Sequence, residues 1–177
     1  MELGTFGAVM GFASQLVAQL REFCETACSL AADAELKAAL RSLSAEAAKD
    51  GVAMEQARRE NVTEMILEPI AGLSQERYQV TLTKLASGAD AGILEMALRL
   101  LERDQRFFQE SSSKLPLPEV ARTLRKVAQR RERGLLGLRA LAGRGKTDTT
   151  FSCLQPSHQR LRSRIKRACW GTPMLSA

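Results

Sequence analysis

The chain reads as all-α, with four helices in two hairpins and a long crossover between the second and the third. Three observations predict this. Ala and Leu dominate a chain that is 45% hydrophobic but only 5% aromatic, and Glu, Arg and Lys are plentiful, a balance that favours helices packed on helices. Apolar residues recur at three- and four-residue steps in four separate stretches, whereas strand-type alternation is almost absent. Turn residues gather where those stretches stop. With 177 residues the chain is long enough to bury one substantial core.

The first helix is expected from near Thr5 to Leu30, because Phe6, Val9, Met10, Ala13, Leu16, Val17, Leu20, Cys24 and Ala27 give it a broad apolar face. Asp33 is placed to cap the second, whose seam runs Leu36, Leu40, Leu43, Ala47, Asp50, Met54 before the helix turns charged at Arg58, Arg59 and Glu60. Asp50 is the wrong chemistry for that seam. Residues 62–89 read as the crossover, interrupted by Pro69, Gly72 and Gly88, with Ser74 to Leu85 either a short helix or extended. Asp90 is placed to cap the third helix, expected to reach Ser111 with Ile93, Leu94, Ala97, Leu98, Leu101, Phe107 and Phe108 inward. Pro118 suits the first turn of the fourth, expected to Leu141. Its stripe holds Val120, Leu124, Val127, Leu135 and Leu138, and the same stepping from Val127 lands on Arg131 and Gly134. Two seams on different helices thus carry one opposite charge each, Asp50 and Arg131. Each is either held in the core or reaches water along its own stem.

Charge divides the chain. The net charge is +6 overall, yet residues 1–138 sum to −1 and residues 139–177 to +7. A bundle over 1–142 and a basic C-terminal tail over 143–177, disordered or a short helix from Ser157 to Trp170, follow from this break. Arg160, Arg162, Arg164, Lys166 and Arg167 are the tail's candidate anion-binding residues, for phosphates of nucleic acid or lipid. Of the four cysteines, Cys24 and Cys28 lie one turn apart and read as buried free thiols, while the irregular spacing of Cys153, His158 and Cys169 makes a poor metal site. His158 is the only histidine, so no Ser–His–acid constellation exists. No basic region precedes Arg21, so no signal peptide is expected, and the uncharged run Leu3 to Leu20 contains Gly4, Gly7, Gly11, Ser14, Gln15 and Gln19. It reads as a buried or interface helix, with no membrane span and a cytoplasmic location.

REFCETACSLAADAELKAALRSLSAEAAKD (21–50), ALRLLERDQRFF (97–108) and EVARTLRKVAQRRERG (119–134) repeat one helix-pair pattern in both halves. In that pattern the chain resembles the rubrerythrin branch of the ferritin-like superfamily over roughly residues 5–142. The resemblance implies a ferritin-like four-helix bundle holding two irons, each half supplying a Glu from its first helix and a Glu-x-x-His from its second. The ligand positions implied here are Val17, Ala47 and Asp50 in the first half, and Leu101, Arg131 and Gly134 in the second. Five of the six cannot bind iron, so the di-iron site is degenerate and no cofactor is expected. The resemblance implies that Asp50 and Arg131 converge from facing helices, so a buried ion pair between them is expected in place of the metal's charge. A register slipped by one residue would use Glu46, Glu102 and Glu132, but one step turns a side chain by about 100°, away from the seam.

The reading that follows is a non-catalytic bundle acting as a binding or scaffold module, self-associating through its first helix, where Gly4, Gly7 and Gly11 allow close approach. Two alternatives stand beside it: an iron-dependent oxidoreductase or peroxidase of the rubrerythrin type, and a binder of anionic surfaces through the basic tail.

Overall fold

The fold is taken from a computed structural model, which describes residues 1–61, 69–81 and 89–151. Among these residues there are four long helices: α1 (Phe6–Leu30), α2 (Ala34–Glu60), α3 (Asp90–Lys114) and α4 (Pro118–Phe151). Met1–Arg144 forms one compact unit.

Each helix starts where its sequence offers a reason to start. The Thr5 hydroxyl accepts the Ala8 N–H at 3.2 Å and caps α1. The Asp33 carboxylate accepts from Glu35 and Leu36 and caps α2. Asp90 behaves differently from expectation. It is the first residue of α3, not its cap, and its carboxylate accepts the N–H groups of Ala32 and Asp33 at 2.8 and 2.9 Å. Those two donors lie in the tight turn between α1 and α2 and have no helical partner there. Asp90 thus ties the first hairpin to the start of the third helix, and its charge suits the N-terminal end of α3. Two ends also differ: α3 runs past Ser111 to Lys114, and α4 continues past its expected end at Leu141 to Phe151.

Side-chain pairings fix the order of the helices. Glu25 beside Ser44, and Cys28 beside Lys37, make α1 and α2 antiparallel. Asp90 near Ala32 at one end, and Phe12 on Phe107 towards the other, make α3 antiparallel to α1. Asp50 with Arg131 and Glu35 with Arg144 set α4 antiparallel to α2, and Glu102 with Arg139 joins α3 to α4. Every neighbouring pair is antiparallel, in the order α1, α2, α4, α3 around the core. It follows that α2 and α3 run parallel, so the connection between them must travel the length of the bundle.

Its described part crosses the end where α1 begins. Residues 1–4 lie beside residues 70–75, joined by Leu3 N–H to Leu73 C=O at 2.8 Å and Ile70 N–H to Gly4 C=O at 3.0 Å. Gly72 takes the positive φ of 73° that this turn needs, and its carbonyl accepts from Lys114 Nζ at 2.7 Å. The segment Ser74 to Leu85, open between helix and extended from sequence, forms a single 3-10 turn at Gln75–Tyr78; residues 82–85 lie outside the described residues. Tyr78 then enters the core. Its ring meets Phe12 and Phe107, with Phe107 edge-on to Phe108, and its hydroxyl donates to Glu110 at 2.7 Å. Burial and that bond push the Tyr78 pKa well up. The large apolar side chains of α1 are consumed by this core, since Phe6, Met10, Phe12, Leu16, Leu20 and Phe23 are all buried within one chain.

Candidate functional site, a buried ionic layer

About one turn from the aromatic cluster the core changes character. Asp50 on α2, Asp104 on α3 and Arg131 on α4 are each 0% exposed, and Arg131 is among the largest fully buried side chains of the described residues. Arg131 Nη1 stands 2.8 Å from Asp50 Oδ2, and its Nε stands 3.5 Å from Asp104 Oδ2. Arg130, half-buried on the next position of α4, also reaches Asp50. Arg103 clasps Asp104 through Nε and Nη2 at 3.0 and 2.7 Å, and its Nη1 donates to Gln19 on α1 at 2.8 Å. All four helices therefore contribute to one layer.

The contacts differ in kind. The Arg103–Asp104 clasp is hydrogen-bonded. Arg131 is held by charge, with Nη1 close to Asp50 and Nε facing Asp104 across the longer 3.5 Å gap. Burial pushes the Asp104 pKa up, against the pull of Arg103 and Arg131. Cys24 lies within reach of the same charges. Its thiol is pushed up to about 12, mainly by burial, with Arg131 pulling the other way. At neutral pH it is a protonated thiol, a poor nucleophile and a poor metal ligand.

The positions assigned to iron by resemblance fall in and around this layer. Asp50 and Arg131 meet. Gly134 faces Leu101 and Leu43 so closely that a Cβ there would stand 2.9 Å from Leu43 Cδ2 and 3.4 Å from Leu101 Cδ1. Val17 and Ala47 are buried and line the floor of an open groove of about 860 Å³ between α1 and α2, where Val17 also approaches Gly51. Of the slipped-register acids, Glu102 is engaged by Arg139, Glu46 is half-buried and Glu132 exposed. No group of three or more His, Cys, Asp or Glu able to hold a metal exists among the described residues. The residues present do not fit a di-iron centre: four of the six positions have no donor atom on their side chains, and a fifth places a guanidinium at the middle of the layer.

Sequence reasoning missed Asp104 and Arg103. The signal was there, because stepping from Ala97 through Leu101 by four and three residues lands on Asp104, then Phe108 and Ser111, all buried. Arg103 gave no such signal, since its long stem places it at the core edge while its head turns inward. Cys24 and Cys28 are free, the first buried and the second half-buried. Arg160, Arg162, Arg164, Lys166 and Arg167, with Cys153, His158 and Cys169, lie outside the described residues. No described helix is long and apolar enough to cross a membrane. Comparison with protein-family models, with characterised proteins and with solved structures finds no match.

Proposed function

We propose that the chain is a non-catalytic, ferritin-like module of rubrerythrin type, acting as a binding or scaffold protein, whose interior carries an ion network in place of a di-iron site. The observation that carries this reading is Arg131, fully buried between Asp50 and Asp104. In a di-iron bundle the interior carboxylates need a cation. Without one they are buried like charges, at a cost of several kcal/mol apiece. Here three of the four Glu positions hold Val17, Ala47 and Leu101, and at the fourth the Arg131 guanidinium supplies the positive charge from within the chain.

Self-association belongs to the same reading. A stripe of small residues on α1, Gly7, Gly11, Ser14 and Ala18, is only partly covered, and the space beside Gly11 is open, so a second helix has room to approach. Light scattering at micromolar concentration tests this part, and a monomeric mass ends it.

The main test is metal analysis of protein purified without chelator, with ferrous titration followed by absorbance and melting. The expected result is substoichiometric iron and a melting temperature unmoved by either iron or chelator. Two irons per chain, or a rise of several degrees on adding iron, would overturn the reading, because a ligand of the native state stabilises it by mass action.

A further inference from the structure

The near-neutral total of the bundle conceals a division between its helices. Residues 1–117 sum to −5 and residues 118–144 to +6. On α4 the positive charge is sorted by face. At 100° per residue, Arg122, Lys126 and Arg133 fall within about 40° of one another, with Arg125 about 60° to one side and Arg131 on the opposite, buried face. Arg122, Arg125, Lys126 and Arg133 are all exposed, and none of them makes an ion pair among the described residues. Elsewhere the arginines are mostly engaged: Arg21, Arg59 and Arg99 by a Glu one turn away, Arg77 by Glu110, Arg139 by Glu102. Only two acids share α4 up to Arg144, and both border this face, Glu119 in the first turn about 20° from Lys126 and Glu132 about 20° from Arg125.

We infer that this face of α4 is a docking surface for the phosphate backbone of a nucleic-acid duplex. Four cations with no ion pair among the described residues, three of them Arg, spread over twelve residues give a straight cationic row about 16 Å long. Guanidinium groups match phosphate oxygens in paired hydrogen bonds. The face excludes other polyanions by what it lacks. An interfacial helix sinks an apolar side into lipid, but the apolar side of α4 is spent in the bundle, and Leu136 is its one exposed large hydrophobic residue. Single strands are gripped by stacking on aromatic rings, and none occurs between Arg122 and Arg133. An acidic protein partner would need an apolar centre to the contact, which is equally missing. Contact of this kind is independent of base sequence. The inference does not rest on the loss of a metal site.

The test is fluorescence anisotropy of the full chain on a labelled duplex DNA of arbitrary sequence, between about 50 and 200 mM salt. Each phosphate contact adds about 0.9 to the slope of log affinity against log salt. Replacing Arg122, Arg125, Lys126 and Arg133 together by Ala should lower the slope by about 3–4 and weaken binding at 50 mM by at least about 100-fold, with helicity and melting retained. Replacing the three arginines by Lys should keep the slope and most of the affinity, which separates charge from any damage to the fold. Removing Arg160, Arg162, Arg164, Lys166 and Arg167 instead should leave the α4 share of the slope in place. The inference is overturned if the wild type fails to bind duplex at 50 mM salt, or if the Ala variant binds like the wild type. Capture by phosphatidylserine vesicles without duplex binding would overturn it too.

Discussion

Around Tyr78 the core is made of rings; around Arg131, one turn further along α3, it is made of charges. Phe107 belongs to the first region and Asp104 to the second, three residues apart on the same helix. The aromatic region is held by area and shape. Each ring loses contact with water independently, and its edge-to-face contacts add modestly to that gain. The ionic region has no such independence. A buried charge is tolerable only while its counter-charge is present, so each member depends on the others. Sites built from area should show additive losses, and sites built from compensation should show strong coupling.

The largest effect is expected at Arg131. Arg131→Leu leaves Asp50 and Asp104 buried together and should cost about 3–5 kcal/mol by urea unfolding. Asp50→Leu alone should cost a similar amount. The double variant should regain much of the loss, because Asp104 keeps its clasp with Arg103. Simple additivity in this double-mutant cycle would sink the idea of a compensated layer. Phe107→Ala, in the aromatic region, should also lose about 3–5 kcal/mol, but combined with Arg131→Leu the two losses should sum with little coupling.

Acidity sharpens the contrast. Burial raises the folded-state pKa of Asp104 above the ordinary 3.8. In the window from 3.8 up to that raised value the folded chain holds more protons than the unfolded one, so this group makes stability fall as pH rises, and its effect is constant above the window. Asp104→Asn removes the effect. The stability of wild type relative to the variant should therefore decline as pH is raised from 4 and level off once Asp104 is ionised. A pH-independent difference between the two would show that Asp104 titrates as an ordinary carboxyl. The smallest effect is expected from Tyr78→Phe, which keeps the ring and deletes one hydrogen bond to Glu110, at about 1 kcal/mol.

Periodicity made much of this bundle legible. The starts of α1 and α2, the apolar faces and the two misplaced seam residues Asp50 and Arg131 all follow from steps of three and four. The rest depended on contacts between segments distant in sequence, which periodicity does not encode. Asp90 has the look of a cap, but its carboxylate serves donors 57 and 58 residues away. Tyr78 looked like part of an ambiguous crossover, and only the packing of α1 on α3 shows the slot it fills. Asp104 was readable by the rule that found Arg131, yet in a helix already rich in charge it did not stand out.

The ionic layer also has a consequence for how the helices find their alignment. Helices with uniform apolar seams can slide by a turn and exchange one leucine for another with little change in energy. Sliding α4 by one turn against α2 and α3 would bring Val127 or Leu135 to the two carboxylates and carry Arg131 into a layer of leucines. Arg131 would then be buried without a partner and Asp50 would lose its closest buried one, which removes those near-degenerate arrangements from competition. A chain with Asp50, Asp104 and Arg131 all changed to Leu would keep its driving force for collapse while losing this discrimination. The loss would show as more than one amide signal per residue along α4.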